Sequence, residues 1–197
     1  MKIIITPHSP LWRQQFFDIS AELAETLKEL SPRIEHIGST SVPELAAKPI
    51  IDIMIGLPEG VQLDKVIAPL IESGYTYYEV YNPLMPYRRL FVKMQPRKEG
   101  DTIPELITKD DTNPDDLGYE RTIHIHVVHY DHCFWERHIA YREYLKAFPE
   151  AREKYQALKM KLAEKEWENG AAYSEAKGDF IGKEEAKALA WYREQKN

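Results

Sequence analysis

Pro49-Ile50-Ile51-Asp52-Ile53-Met54-Ile55-Gly56-Leu57 is the stretch from which the fold is read. Side chains along a strand alternate between its two faces, so Ile51, Ile53, Ile55 and Leu57 share one face while Ile50, Asp52, Met54 and Gly56 share the other. The first face is core. The second carries a carboxylate inside an otherwise apolar run, and such a group needs water, a cation or a hydrogen-bond donor beside it. Spacing alone leaves two readings open for Asp52: a metal ligand, or a polar group held structurally by Lys48 or by nearby hydroxyls.

The residues leading into this strand are Glu35-His36-Ile37-Gly38-Ser39-Thr40-Ser41-Val42-Pro43-Glu44-Leu45-Ala46-Ala47-Lys48. Arg33 to Ile37 reads as a short strand, Gly38 to Ser41 as a turn, and Val42 to Ala47 as a short helix despite Pro43. Gly38 lets the backbone turn tightly, and the hydroxyl residues Ser39, Thr40 and Ser41 at a helix start offer N–H and O–H donors to a phosphate. The competing reading is that they only cap that helix.

Upstream, Ser9-Pro10 reads as a cap and first helical position, followed by Trp12, Phe16, Ile19, Leu23, Leu27 and Leu30 at spacings of three and four. Downstream, the pattern gives a helix over 61–73 stopped by Gly74, strands over 75–81 and 87–94, and a long acid-rich loop over 97–120 that reads as exposed, a candidate lid. Arg121 to His129 is again a strand. Its alternation puts Ile123, Ile125 and Val127 on one face and His124, His126 and Val128 on the other. After Asp131 the period becomes helical, with helices over 134–148, from Pro149 through Leu162, over 173–181 and over 183–194. The layout is α+β: an α/β portion over 1–130 and a helical portion over 131–197 packed on it.

His124 and His126 point the same way, so two imidazoles plus Asp52 could ligate one ion if the two strands are neighbours. Such a set favours Zn²⁺ or Mn²⁺ over Mg²⁺, which prefers oxygen. Equally open is that these histidines hydrogen-bond Asp52 or a bound anion. In the basic cluster Arg88, Arg89, Lys93, Arg97 and Lys98, parity sets Arg89 and Lys93 on one face with Arg88 opposite. Charged residues of this kind commonly protect an edge strand. Arg89 is the member retained as a phosphate-ligand candidate.

Composition narrows the classes. The 197 residues carry 26 Lys plus Arg against 32 Asp plus Glu, a formal charge of −6, with 43% hydrophobic residues. That describes a globular protein without the basic field a general nucleic-acid binder uses. Cys133, the lone cysteine, supplies neither a disulfide nor a thiolate zinc cage. Ile3-Ile4-Ile5 before Pro7 falls short of a signal-peptide core, and the apolar run at 49–57 is too short for a membrane span, so the expected location is the cytoplasm with no membrane partner. Gly-Lys-Ser/Thr, Gly-x-Ser-x-Gly, Gly-x-Gly-x-x-Gly, His-Glu-x-x-His and Cys-x-x-Cys motifs are missing from the sequence, which removes the main support for kinase, serine hydrolase, dehydrogenase and zinc-protease readings.

The stretch from His36 to Ile53 resembles the GrpB family, whose segment reads His-Ile-Gly-Ser-Thr-(Ser/Ala)-Val-Pro-Gly-Leu-Ala-Ala-Lys-Pro-Ile-Ile-Asp-Ile. The resemblance extends over almost the whole chain, through Trp12, Gly74-Tyr75, His124 and His126, Tyr141 to Leu145, Tyr155 to Leu162, and Tyr173 with Lys177, Phe180 and Ile181. It implies a nucleotidyltransferase-like mixed sheet with flanking helices, in which a Gly-Ser turn holds a nucleoside triphosphate and an Asp-x-Asp pair holds two Mg²⁺ ions for in-line transfer. Carried over, Gly38 and Ser39 match the phosphate turn, with Thr40, Ser41 and Lys48 as further phosphate-binding candidates beside them, Asp52 matches the first metal carboxylate and catalytic position, and Lys177 a Tyr-x-x-x-Lys position able to reach phosphate. The second carboxylate position is Met54, which offers Mg²⁺ no hard oxygen. Two expectations result: an enzyme transferring a nucleotidyl group with a divalent metal (Mg, Mn or Zn), or a module that binds a nucleotide or other phosphorylated small molecule without turnover. For the second, the family's occurrence beside dephospho-CoA kinase suggests a link to coenzyme A metabolism.

Overall fold

The computed structural model describes residues 1–96, 98–111 and 119–196. Six strands form one mixed sheet: β1 (Arg33–Ile37), β2 (Ile51–Leu57), β3 (Thr76–Tyr78), β4 (Arg89–Gln95), β5 (Leu106–Ile107) and β6 (Glu120–His129), in the order β1-β2-β6-β4-β3-β5. β2 and β6 run parallel at the centre, and β1 and β4 flank them antiparallel. Together with helices on both faces this is an α+β fold, as the sequence pattern predicts.

The isoleucine face behaves as alternation requires. Ile53, Ile55, Leu57, Phe91, Ile125 and Val127 are fully buried against α1 (Leu11–Thr26) and α2 (Ile67–Glu72). Each such side chain contributes roughly 1.5–3 kcal/mol by leaving water. The opposite face is covered by the later helices. Phe134 and Ile139 of α3 (Cys133–Ala147) close over Ile37, Met54 and Val128, and Ala151 and Tyr155 of α4 (Pro149–Ala163) pack on Val42 and Leu45. α5 (Gly170–Glu175) and α6 (Gly178–Glu194) complete that layer. Arg142 of α3 fastens it to the sheet, donating to Glu35 Oε2 at 2.7 Å and to the His36 carbonyl at 2.8 Å.

The two portions interleave. Ile3 and Ile5 pack with Leu158, Leu162 and Tyr173, and Thr6 exchanges backbone hydrogen bonds with Ala47 at 2.9 Å in both directions. The first residues thus pack directly against the helical portion.

Local departures have physical causes. Residues 42–47 form no helix: Pro43 has no N–H to give, and Glu44 sits at φ +64° in the left-handed region. The 61–73 helix is a short 3₁₀ turn over Leu63–Val66 followed by α2, and Tyr75–Tyr81 yields only three strand residues before a 3₁₀ turn over Glu79–Tyr81. Within the acid-rich segment Leu106–Ile107 pairs in parallel with β3, so that part is sheet edge rather than lid, while residues 97 and 112–118 lie outside the described residues. The helix break falls at Ala176-Lys177, ahead of the 181–183 boundary expected from the sequence. Among the described residues no helix is long and apolar enough to cross a membrane.

Candidate functional site

The parallel register sets Asp52 directly beside His124, and Met54 beside His126, on the face turned toward the later helices. Asp52 Oδ1 lies 3.0 Å from His124 Nδ1. Burial on its own pushes the Asp52 carboxyl up, but the hydrogen bond and charge of His124, with the charges of His126 and Lys48, outweigh it and hold the pKa below the ordinary value. An ionised carboxylate can only accept, so Nδ1 carries the proton, and in the neutral ring Nε2 is left as an acceptor. His124 Nε2 is buried and has no hydrogen-bond partner among the described residues.

His126 shares the face but not the site. Its Nδ1 lies 3.1 Å from Arg88 Nη1, which donates to it, and its ring sits 6.2 Å from Phe134 and 6.4 Å from His138 beneath α3. Burial, followed by the Arg88 charge, holds its pKa well below the usual histidine range. Met54 is fully buried in the cluster under α3, so the second carboxylate position is filled by packing. Among the described residues no three His, Cys, Asp or Glu side chains converge as metal ligands.

Gly38 leaves β1 at φ +69°, and the turn passes so close to Asp52 that a Cβ there would meet Oδ2 at 2.3 Å. Ser39–Ser41 is a single 3₁₀ turn, not the start of an α-helix. Two of its hydroxyls are spent internally. Thr40 Oγ1 donates to the Ile50 carbonyl at 3.1 Å and so accepts from His36 Nε2–H at 3.1 Å, and Ser41 Oγ donates to the Gly38 carbonyl at 2.6 Å. Neither hydroxyl caps a helix, since residues 42–47 form none; Thr40 and Ser41 brace the turn itself. Ser39 alone turns toward the later helices, where Lys159 Nζ donates to its Oγ at 3.1 Å.

These residues border a hollow of about 200 Å³ between the carboxyl end of β1, the start of β2 and helices α4 and α5. Its walls include Gly38, Ser39, Thr40, Lys48, Asp52 and His124 from the sheet side, and Tyr155, Lys159, Tyr173, Ser174 and Lys177 from the helices. Lys48 and Lys177 both lie over the Tyr173 ring, 5.4 and 4.5 Å from its centre. Burial, with the charge of Lys48 second and Asp52 opposing, brings Lys177 down to about 8. Burial and the charge of Lys177 bring Lys159 down to about 7. Arg89 is not at this site. It pairs with Val127, hence sits on the isoleucine face, and its Nε donates to Asp64 Oδ1. Lys93 shares that face and donates to the Ser73 carbonyl at 3.0 Å. Arg97 lies outside the described residues.

Sequence reasoning missed Lys159 and Tyr155 as lining residues, although helical phase carries the signal. Ala151, Tyr155, Lys159 and Leu162 fall four, four and three apart on the buried stripe of α4, so the lysine stands where an apolar residue is expected.

His36 shows how the turn is anchored and yields a pH prediction. Its ring stacks on Phe16 at 4.7 Å, and burial lowers its pKa from 6.5 to about 4, with Asp52 opposing and Arg142 adding to the drop. The native state keeps His36 neutral while the unfolded chain takes a proton below pH 6.5. Stability is therefore complete above 6.5 and drains as pH falls toward 4, at about 1.4 kcal/mol per pH unit for each such histidine. His138, also brought to about 4 by burial, acts in the same window. A His36→Gln variant should lose its share of this slope when melting temperature is followed against pH; an unchanged slope would refute the assignment.

A mixed six-stranded sheet between two helical layers, with a lysine-lined hollow beside its central strands, places the molecule among α+β proteins. The chain belongs to the GrpB family: residues 2–187 match the model of that family, described as GrpB protein. The glutamate-rich protein GrpB of Alkalihalophilus pseudofirmus is 31% identical over 182 residues, which are 91% of this chain and 92% of that protein. The crystal structure of the conserved protein GrpB from Enterococcus faecalis superposes with a TM-score of 0.73 at 31% identity, covering 96% of this chain and 99% of that one. A dephospho-CoA kinase of Mycolicibacterium paratuberculosis is 28% identical over 160 residues, 79% of this chain but 38% of the kinase.

Proposed function

We propose that this protein binds a nucleotide or another phosphorylated small molecule in the hollow, with the Asp52–His124 pair serving as proton acceptor beside the phosphate. The observation that carries the reading is the convergence of Lys48, Lys159 and Lys177 on one small hollow in a chain whose net charge is −6. Ammonium groups facing a shared space create an anion site whatever the charge of the whole molecule. The volume suits the phosphorylated end of a ligand, and the rest of it would extend to solvent.

Nucleotidyl transfer is the chemistry that the pair supports. An acceptor hydroxyl oxygen bonds to the α-phosphorus, its proton passes to His124 Nε2, and the bond to the departing pyrophosphate breaks. Asp52 holds the ring in the tautomer that makes this possible and stabilises the imidazolium. Met54 favours a second reading, binding without turnover, because its burial leaves the superfamily's carboxylate pair incomplete. For that reading the dephospho-CoA kinase relative makes coenzyme A precursors natural ligands to try.

The test is a thermal-shift screen with nucleoside triphosphates and coenzyme A precursors, paired with an assay for pyrophosphate release. A rise in melting temperature that Asp52→Asn reduces is expected, and pyrophosphate release lost in His124→Gln identifies transfer. No shift with any phosphorylated compound would overturn the proposal.

A further inference from the structure

The phosphate-ligand reading above is the premise here, and the question is what neutralises the phosphate. Lys159 is 2% exposed; its ammonium donates to Ser39 Oγ and the Ala46 carbonyl, and no carboxylate lies within ion-pair reach of it among the described residues. Lys177, at the entry to α6, likewise has no ion-pair partner among them and rests on Tyr173. Tyr173 is itself 1% exposed, lines the hollow, and its hydroxyl has no hydrogen-bond partner among the described residues. Taking an ammonium out of water is strongly unfavourable unless a counter-charge meets it. The acid lining the hollow, Asp52, is already engaged with His124.

This arrangement is the reverse of a metal site. Mg²⁺ is held by carboxylates and brings positive charge to phosphate oxygens. A divalent ion placed in this hollow meets one carboxylate and one imidazole nitrogen against the buried Lys159 and the half-buried Lys177, and like charges repel more strongly away from bulk water. We propose that Lys159 and Lys177 take the place of the divalent ion, with the Tyr173 hydroxyl as an added donor, so that the protein binds the metal-free form of a small molecule carrying two or more linked phosphates.

The experiment is isothermal titration calorimetry on the full chain with inorganic tripolyphosphate and ATP as probes, each in EDTA and in excess Mg²⁺. Binding in EDTA is expected to be at least as tight as in Mg²⁺. Lys177→Gln should weaken it about tenfold, the loss of one charge-assisted hydrogen bond, with Lys177→Arg retaining most of it. Lys159→Met should weaken it comparably, and circular dichroism establishes that the variant is folded before it is read. Binding that appears only with Mg²⁺, or a Lys177→Gln variant that binds as tightly as the parent, overturns this inference while leaving the phosphate-ligand reading in place. Failure of every phosphate probe in both buffers overturns that reading and this one together.

Discussion

Replacing Gly38 with alanine is expected to destabilise the protein by roughly 2–4 kcal/mol and to abolish the phosphate-ligand binding proposed at the hollow. Two independent effects meet at this position. Gly38 has φ +69°, where a side chain crowds its own backbone, and the added Cβ would lie 2.3 Å from Asp52 Oδ2 and 2.9 Å from Asp52 Cβ and Cγ. Contacts that short do not persist, so either the turn withdraws or the carboxylate swings away from His124. Gly60 is the internal control: its φ is +86°, yet a Cβ there would meet nothing within 4 Å. Gly60→Ala should therefore lose only the conformational part, about 1 kcal/mol. Urea denaturation of the two variants separates the contributions. Equal losses at the two glycines would mean that the turn does not press on Asp52.

Met54→Asp, which creates the Asp-x-Asp spacing that the nucleotidyltransferase resemblance leads one to expect, should unfold the protein or cost about 3–5 kcal/mol instead of creating a metal site. Met54 is fully buried among Ile37, Val128, Phe134 and Ile139. A carboxylate there would lose its hydration against apolar side chains, and neighbouring His126 is already committed to Arg88. Met54→Leu keeps volume and chemistry and should cost less than about 1.5 kcal/mol. Denaturant midpoints measured side by side decide the matter. A well-folded Met54→Asp protein whose melting temperature rises with Mn²⁺ would mean that position 54 opens to the hollow.

Much of the frame was legible because it rests on local periodicity. The isoleucine alternation places Asp52 on the face opposite the core, and the same alternation in 121–129 places His124 and His126 together. What alternation cannot supply is which strand lies beside which. The parallel pairing of β2 with β6 joins residues 72 positions apart in the chain, and it turns one histidine toward Asp52 while Phe134 and His138 of α3 lie over the other. Arg89 illustrates the same boundary. Parity correctly sets Arg88 and Arg89 on opposite faces, but only the register with Val127 reveals that Arg89 belongs to the isoleucine side. The two-residue β5 is too short for any pattern to announce it, and exists because β3 offers it backbone partners. Helical phase makes Lys159 legible where strand alternation does not: a lysine in phase with Tyr155 and Leu162 conflicts with the amphipathic stripe, the kind of conflict expected at functional or strained positions.

The contact of Trp167 with Tyr173, edge to face at 5.9 Å, gives the molecule a native optical handle. The indole leans on the same ring that carries Lys48 and Lys177, whereas Trp12 lies beneath the sheet, Trp135 beside Gly56, and Trp191 against Phe148. Binding of the proposed phosphate ligand beside Tyr173 is therefore expected to change the emission of Trp167, one of four tryptophans, and a titration followed by intrinsic fluorescence checks it without an attached dye.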